Sequence, residues 1–382
     1  MKKLFSIILA VGVVLFWVGT VGAEDTKTFS IRRVWSNTLN IEPQSIIFPS
    51  SEEATKLIER KATISPEMIT TEKSIEFFDF EGKSKSKINI EINQKQQKSY
   101  IKLSNDRKKL FIVTNTDTSY SFRILDTSGN TLSVKQFQHQ PNISDDGDFL
   151  LVRAVESYPM ESFVVYDSNG IKLWERANHK VTDAKIFDNG SVVSIEDGNN
   201  NKRNLIFLEK TGSIKWQYDN IEPLAADYTF LLKNNVLILS PNTFPSNLYA
   251  FDAQNGKLLW RQENSENIPE QISENGSLLV CEDRKGILLI DAFSGRVEGK
   301  KSGLKGMIKI SSNGQFVAIS NFPLKLNKDN LFVLEKNGKT IWSKRTFNKK
   351  IEKIGFVVDT QFFYTDGKTI NLEKIVKTGG EK

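Results

Sequence analysis

The side chains most often used in catalysis and metal binding are few and scattered in this chain. It has one cysteine, Cys281, and two histidines, His139 and His179, and no HExxH or paired-histidine spacing gathers a metal-binding set. No G-x-S-x-G motif or phosphate-binding glycine loop occurs. Cys281 lies in an apolar run typical of a buried strand, and both histidines fall between predicted structural units. We therefore expect no catalytic residue, no metal site and no cofactor site.

One acidic cluster has the chemistry of a cation site. The sequence DDGD at 145–148 supplies carboxylate oxygens, which are the ligands that calcium prefers. The same four residues also have the composition of a tight hairpin turn. The sequence favours a solvated turn over an ion site here.

The first 23 residues predict a secretory signal peptide. Two lysines precede an apolar run, and small residues precede a predicted cut between Ala23 and Glu24. The run from Leu4 to Val18 is shorter than the roughly 20 residues that span a bilayer, although an uncleaved anchor is the alternative. No cysteine lies near the cut, so the lipid attachment of bacterial lipoproteins is not expected. These features predict a periplasmic or secreted protein with no integral membrane segment after cleavage.

The charge of the chain is only weakly basic. Fifty-two Lys and Arg residues against 46 Asp and Glu residues give +6, which falls to +4 when Lys2 and Lys3 leave with the signal. The densest basic stretch, 84–102, alternates like a solvated strand and lacks interleaved aromatic platforms, so no nucleic-acid partner is predicted. A single cysteine allows no intramolecular disulfide, and stability must therefore come from packing.

A repeated motif organises most of the chain. The segment AFDAQNGKLLW at 250–260 has an apolar run, an acid, a turn with glycine and a second run that ends in tryptophan. Related segments recur around acids that are 39 to 47 residues apart, namely Asp79, Asp126, Asp167, Glu209, Asp252, Asp291 and Glu335. A nearly constant period of this size indicates a repeated supersecondary unit.

A second hairpin precedes most of these acids. Asn-Gly or Asp-Gly turns at 143–153, 186–196, 272–282 and 310–320 supply the positive φ that tight hairpins need. Two hairpins give four short antiparallel strands, and such units at a period near 40 predict an all-β propeller. Two separate sandwiches are the alternative, but they would not repeat their sequence in register. The only helix candidate is the short segment 50–62.

Tryptophans follow the acids at a nearly fixed distance. Because strands alternate faces, a fixed phase places these rings in equivalent positions, where we predict that they wedge between neighbouring blades. The residues predicted to have this structural docking role are Trp35, Trp174, Trp216, Trp260, Trp342, Asp126, Asp167, Asp252 and Asp291.

The end of the chain lacks one strand of a complete unit. Residues 353–374 supply three strands, and the N-terminal strand 28–37 resembles an outer strand, with Trp35 in the docking phase. We predict that this strand completes the last blade and closes the ring, which removes an exposed edge.

The repeats also predict the domain boundaries. After the signal peptide, an N-terminal segment at 24–43 precedes a propeller at 44–376 and a flexible tail at 377–382. The prediction is eight blades. Seven blades are the alternative, because 58–71 matches an inner hairpin poorly.

The segment 250–260 resembles the tryptophan-docking motif of the quinoprotein-like propeller superfamily, whose repeats are called PQQ-like or WD-like. The resemblance covers about 100–376. Asn255 stands where threonine is common in that motif. The matching residues are Ala250, Asp252, Gly256, Lys257 and Trp260.

The resemblance implies two kinds of function. Quinoprotein dehydrogenases of this superfamily bind pyrroloquinoline quinone with calcium beneath two adjacent cysteines, and this chain has one cysteine. Also similar is the propeller subunit of the outer-membrane barrel assembly machinery, a non-enzymatic, eight-bladed scaffold. That family is usually lipidated, so the missing cysteine favours the shared class over membership in the family.

The prediction is therefore an exported, non-catalytic propeller that acts as a protein- or peptide-binding scaffold in the cell envelope. The alternative is a degenerate quinoprotein-type enzyme or a small-ligand sensor that uses the central channel. Convergent acids, asparagines and arginines in that channel would favour the alternative, whereas apolar or mismatched side chains would favour the scaffold.

Overall fold

A computed structural model describes most of the chain beyond residue 27. The predicted signal peptide and the helix candidate at 50–62 lie outside the described residues. The described ranges are 28–38, 45–47, 68–70, 74–78, 83–89, 99–104, 108–115, 119–144, 147–153, 160–198, 202–222, 225, 227–243, 245–321, 329–345, 353–366 and 368–378.

Within these ranges the structure consists of strands and turns and contains no helix. The described residues therefore include no helix that could cross a membrane. The first strands are β1 (Thr28–Thr38), β2 (Ser45–Ile47), β3 (Met68–Thr70), β4 (Ser74–Phe78), β5 (Ser84–Asn89), β6 (Ser99–Leu103), β7 (Lys109–Asn115), β8 (Tyr120–Asp126), β9 (Thr131–Phe137), β10 (Asn142–Ile143), β11 (Phe149–Arg153), β12 (Met160–Asp167), β13 (Lys172–Ile186), β14 (Val192–Asp197), β15 (Arg203–Leu208) and β16 (Ile214–Ile221). The remaining strands are β17 (Tyr228–Lys233), β18 (Val236–Pro241), β19 (Ser246–Asp252), β20 (Leu258–Ser265), β21 (Ile268–Ile272), β22 (Leu278–Glu282), β23 (Gly286–Asp291), β24 (Val297–Ser302), β25 (Gly306–Ile310), β26 (Phe316–Asn321), β27 (Leu331–Glu335), β28 (Thr340–Lys344), β29 (Ile354–Val358), β30 (Gln361–Asp366) and β31 (Thr369–Thr378).

Neighbouring strands pair antiparallel into small sheets. Five sheets follow the chain in groups of four, β2–β5, β6–β9, β17–β20, β21–β24 and β25–β28. A sixth sheet has seven strands, β10–β16, and the seventh sheet has the order β1-β31-β30-β29. The first strands of the later successive sheets contact one another, which places them side by side on the inside.

The seven-stranded sheet arises because one long strand serves two four-stranded units. The first half of β13 pairs with β12, and its second half, from Val181 to Ile186, pairs with β14. Asn178 between the halves has a φ of 61°, a left-handed conformation that asparagine tolerates better than most residues. The strand is thus the outer strand of one unit and the inner strand of the next.

The N-terminal strand pairs with the last strand of the chain. Ten residue pairs join β1 to β31, from Thr28 opposite Thr378 to Thr38 opposite Thr369, with a bulge between Arg33 and Trp35. The backbone of Trp35 lies opposite Leu372, and its side chain lies outside the described residues. Strand β31 extends to Thr378, so the first two residues assigned to the tail belong to this strand.

The hydrophobic core is distributed between the sheets. Middle strands such as β18 and β19 are buried along almost their whole length, because both of their faces pack against neighbouring sheets. One such layer packs Phe207 and Trp216 of one unit against Leu237, Tyr249 and Phe251 of the next. The all-β prediction is confirmed, and its sheets stack face to face.

Candidate functional site: a groove between two units

Three of the predicted tryptophans contact the turn of the following unit. The indole Nε1 of Trp174 donates a hydrogen bond to the carbonyl oxygen of Lys210 at 2.8 Å, and Trp260 donates to Ala292 at 2.8 Å. Trp216 donates to Ala253 at 2.9 Å and is the most buried of the three. Each of these three indoles thus links its own unit to the next one.

Glycine in the receiving turn makes this contact possible. A Cβ on Gly256 would lie 2.7 Å from the ring of Trp216, and a Cβ on Gly212 or Gly295 would meet Trp174 or Trp260 in the same way. Gly256 also has a φ of 75°, which L side chains rarely adopt. The ring therefore lies flat on a turn that only glycine allows.

The predicted acids cap these turns. The carboxylates accept hydrogen bonds from backbone N–H groups two or three residues further along, which is the Asx-turn pattern. The donors are Ser128 to Asp126 at 2.9 Å, Asn169 to Asp167 at 2.9 Å, Gln254 to Asp252 at 2.7 Å and Ser294 to Asp291 at 2.8 Å. Each acid thus shapes its turn, and in the turns of Asp252 and Asp291 that turn receives the tryptophan of the preceding unit.

Two other residues occupy the tryptophan position and were missed by the sequence reasoning. The hydroxyl of Ser86 donates a hydrogen bond to the carbonyl oxygen of Thr127 at 3.3 Å. It thus binds the turn of the next unit as the tryptophan indoles do, with a smaller side chain. Gly299 pairs with Leu289 just as Trp216 pairs with Phe207. A Cβ on Gly299 would lie 2.3 Å from the backbone of Asn337, so the two units meet there through their backbones.

Trp342 lies in a different environment. Its ring packs on Phe362 and Tyr364 of the last sheet, with ring centroids 5.6 and 6.4 Å apart. The receiving turn is replaced there by the junction of β31 with β1, because the fourth strand comes from the N-terminus.

The inner hairpin turns form a second set of contacts between units. The side-chain amide of Asn234 donates to the carbonyl oxygen of Asn275 at 2.8 Å, and the amide of Asn275 donates to Asn313 at 2.9 Å. The backbone N–H of Asn313 then donates to Asp359 at 2.8 Å. These bonds link four successive inner turns along one face of the molecule.

A groove opens on this same face, just before that series of bonds. It has a volume of about 510 Å³ and lies between the turns of the β13–β16 unit and those of the β17–β20 sheet. Lys233 bridges its inner end by ion pairs with Asp188 at 3.6 Å and with Glu274 at 3.1 Å. The inner turns are thus connected here by a flexible side chain instead of by short amide bonds.

The groove has an apolar floor and polar walls. Phe187, Phe207 and Ala253 line the buried floor, together with the partly buried Leu232. Lys215 lies over the ring of Phe207 at 5.7 Å and donates to the side chain of Gln254 at 3.0 Å. The polar wall residues are Asp188, Asn189, Ser191, Glu209, Lys210, Thr211, Lys215, Lys233, Asn234, Asn235 and Gln254.

The residues singled out for chemistry do not meet at one place. Cys281 is fully buried, and this burial raises the pKa of its thiol far above the ordinary value. His179 Nδ1 lies 3.2 Å from the carboxylate of Glu196, which forms an ion pair with Arg176 at 2.9 Å. Among the described residues, no group of three or more His, Cys, Asp or Glu side chains is arranged to hold a metal ion. His139 lies beyond β9, partly buried.

The described part of the DDGD segment, Gly147 and Asp148, lies between the paired strands β10 and β11. Residues 145 and 146 lie outside the described part, while Gly147 has a φ of 82° and packs against Phe111. The N–H of Gly147 donates to the carbonyl oxygen of Ser144 at 3.0 Å, which closes the turn.

The inner strands carry exposed side chains of mixed character. Ile268 and Met307 are apolar and more than a third exposed, and Glu270 and Lys309 are exposed charged residues of the same two strands. Although Glu270 is exposed, partial desolvation by its neighbours, with a further contribution from Glu282, raises the pKa of its carboxyl.

Stacked four-stranded sheets with tryptophan-docked turns define a β-propeller built of PQQ-like repeats. Residues 122–344, more than half of the chain, match the family model described as outer membrane protein assembly factor BamB. The chain belongs to this family. The match corrects the expectation that the missing cysteine would place the chain outside it.

Solved structures with the same fold differ strongly in sequence. The crystal structure of BamB from Moraxella catarrhalis is 14% identical with a TM-score of 0.53, covering 92% of this chain and 100% of that one. The Dos1 propeller is 14% identical with a TM-score of 0.56, covering 92% and 96%. The computationally designed Ika8 protein is 11% identical with a TM-score of 0.56, covering 88% and 98%. No curated protein sequence matches the chain.

Proposed function

We propose that this protein is a non-catalytic scaffold of the cell envelope that binds a protein or peptide in the groove between the β13–β16 unit and the β17–β20 sheet. The groove carries the proposal, because it combines an apolar floor with charged and amide side chains at a gap between inner turns. Such a combination of apolar surface and a few polar groups is typical of binding sites. Membership in a family described as an assembly factor supports a protein partner.

Site-specific photo-crosslinking in growing cells tests this function. Benzoylphenylalanine at Lys210 or at Gln254, both in the groove, is expected to give an adduct with one defined partner protein. The control position is Lys374, an exposed residue of β31 in the last sheet. Absence of an adduct at both groove positions, or equal adducts at Lys374, contradicts the proposal.

The location in the envelope follows from the predicted signal peptide, and its test is separate. Cell fractionation is expected to find the protein outside the cytoplasm with a mature N-terminus at Glu24. A cytoplasmic protein that retains Met1 would overturn this part of the proposal.

The proposal includes a ring of eight blades that the N-terminal strand closes. Counting β13 in two units gives eight four-stranded groups, and β1 completes the last of them. Arg33 of β1 donates to the buried carboxylate of Glu373 at 2.9 Å and to the hydroxyl of Tyr364 at 3.1 Å. The Tyr364 hydroxyl donates to Glu373 at 3.2 Å and accepts a hydrogen bond from Lys344. Two strands of the last sheet, β30 and β31, thus hold β1, and Lys344 of the neighbouring sheet bonds to the same tyrosine.

The protonation states of Arg33 and Tyr364 favour these contacts with Glu373. Burial and the nearby Glu373 carboxylate raise the pKa of the Tyr364 hydroxyl, so it stays protonated. Burial lowers the pKa of Arg33, but its bonds to Glu373 outweigh that effect and raise it overall. Glu373 is buried and Arg33 is about half exposed, so removing Arg33 would leave a buried carboxylate without its nearest cation.

Deleting residues 24–37 tests the closure. The deletion is expected to abolish a cooperative thermal transition, because β31 becomes an exposed edge and Glu373 loses its cation. Deleting only 24–27 leaves β1 intact and is the matched control. Equal melting temperatures for the two deletions would contradict closure by this strand.

Quinone binding distinguishes the scaffold from the enzymatic alternative. The mixed side chains of the inner strands and the single cysteine support the expectation that the protein binds no pyrroloquinoline quinone, with or without calcium. Isothermal titration calorimetry of the purified protein measures this directly. Stoichiometric binding, or dye reduction with an alcohol or aldose, would favour the enzyme.

A further inference from the structure

The groove carries more positive than negative charge. Lys210, Lys215 and Lys233 face Asp188 and Glu209 among its lining residues. Lys233 is engaged with Asp188 and Glu274, which lie 3.6 and 3.1 Å from its ammonium group. When Lys233 and Asp188 are set aside, the groove lining has two exposed lysines, Lys210 and Lys215, and one carboxylate, Glu209.

Lys215 is placed to receive an anion next to an apolar side chain. Its ammonium group contacts a neutral acceptor, Gln254, at 3.0 Å and lies over Phe207. A carboxylate would form a stronger, charge-assisted hydrogen bond than this amide oxygen does. The apolar floor at Phe187 and Leu232 lies within the same groove. A ligand that has a carboxylate and an apolar side chain can therefore contact Lys215 and this floor at the same time.

The amide side chains of the walls match a polypeptide backbone. Asn189, Asn235 and Gln254 each carry a donor and an acceptor, as each peptide unit does, and Gln254 donates to Asn235 at 2.5 Å, a bond that a ligand backbone would replace. The inner turn that supplies Asn234 and Asn235 has φ values of 41° and 66°, whereas glycine adopts the positive φ in four other inner turns. Asparagine at these positions adds two amide groups to the groove that glycine would not supply.

We propose that the groove binds an extended polypeptide segment in which a carboxylate stands beside an apolar side chain, with Lys210 and Lys215 as the residues that select the carboxylate. This inference rests on the proposed scaffold function and names the chemistry of its partner. The carboxylate belongs either to an Asp or Glu side chain or to a free C-terminus.

Fluorescence anisotropy with synthetic hexapeptides tests the inference on the full mature protein. The first probe alternates phenylalanine and aspartate and is amidated, the second alternates phenylalanine and asparagine and is amidated, and the third is the second with a free C-terminal carboxylate. We expect the first or the third probe to bind about tenfold more tightly than the second, which corresponds to one charge-assisted contact. Whichever binds identifies the source of the carboxylate.

The lysines are then replaced together. In the Lys210→Gln, Lys215→Gln variant the preference for a carboxylate is expected to disappear, and rising salt should weaken wild-type binding. Lys257→Gln, an exposed lysine outside the groove on the next turn, is the control and should keep the preference. Equal affinity of wild type for all three probes, or an unchanged preference in the double variant, overturns the inference.

The two proposals fail differently. Photo-crosslinks at Lys210 and Gln254 without a carboxylate preference would refute the inference and leave the scaffold function standing. Crosslinks that are absent would refute the scaffold function, and the peptide preference would then have no partner in the cell.

Discussion

The middle of the chain and the sheets that follow it join their units in different ways. Between residues 174 and 295, a tryptophan from each unit lies on a glycine turn of the next and donates to its backbone. Beyond residue 295, Gly299 brings two backbones together, and in the last sheet Glu373 and Tyr364 bind Arg33 of β1. One repeated contact thus joins the units in the middle of the chain, whereas the later junctions described here use contacts that differ from one to the next.

The largest effect should come from breaking a repeated junction. Trp216→Ala removes a buried ring stacked on Phe207 and Phe251, with centroids 5.0 and 6.0 Å away. We expect a loss of about 3–5 kcal/mol, as for other large aromatic truncations in cores. Trp174 and Trp260 are more exposed than Trp216, so their alanine variants should lose less. Chemical denaturation of the three variants beside wild type measures the order, and losses within about 0.5 kcal/mol would contradict docking.

A smaller loss of stability is expected where the backbones of Gly299 and Asn337 approach each other. Gly299→Ala places a Cβ 2.3 Å from the backbone of Asn337, which has to move, and overpacking of this kind costs about 1–3 kcal/mol. The matched control is Gly198→Ala, whose Cβ would meet only the side chain of Asn204. If both variants have the same urea midpoint, the close approach at Gly299 does not contribute to stability.

The smallest effect concerns the turn between β22 and β23, which contains Asp283. Partial burial opposes ionisation of Asp283, but hydrogen bonds from Lys285 and Gly286 and the nearby Lys300 outweigh it, so its pKa lies below the ordinary 3.8. The bonds from the two backbone N–H groups are 2.7 and 2.6 Å long. A depressed pKa in the folded state contributes stability above the ordinary pKa, and this is lost as the pH falls through the folded-state pKa.

Asp283→Asn should therefore reduce the acid sensitivity of the fold. The difference in unfolding free energy between wild type and variant is expected to shrink between about pH 5 and about pH 2. Urea midpoints at several pH values give this difference. A difference that stays constant with pH would show that the carboxylate charge does not matter for this turn.

The repeated features were readable from the sequence because each has a local cause. Asx-Gly turns need positive φ, and the structure shows it at Gly147, Gly190, Gly276 and Gly314. Strand alternation fixes the phase of the tryptophans, which places Trp174, Trp216 and Trp260 alike. Strand propensity and turn chemistry act over a few residues, so a single sequence carries them.

The unrepeated features were not readable, because distant parts of the chain create them. Arg33 and Glu373 are 340 residues apart, and nothing near either one indicates the other. In the sequence Gly299 appears only as a repeat that lacks its tryptophan, because the close approach of Asn337 is visible only in the structure. The groove joins turns that lie in different units, and its lysines look like ordinary solvated residues in the sequence.

The shared strand β13 has a mechanical consequence. Because it is 15 residues long and hydrogen-bonded to β12 on one side and β14 on the other, a pulling force applied to either unit passes directly into the next. Elsewhere in the described chain successive units are joined by connecting segments between separate sheets. The two units from β10 to β16 would therefore yield to load together, and a gene duplication or excision confined to one of them would have to cut through a strand.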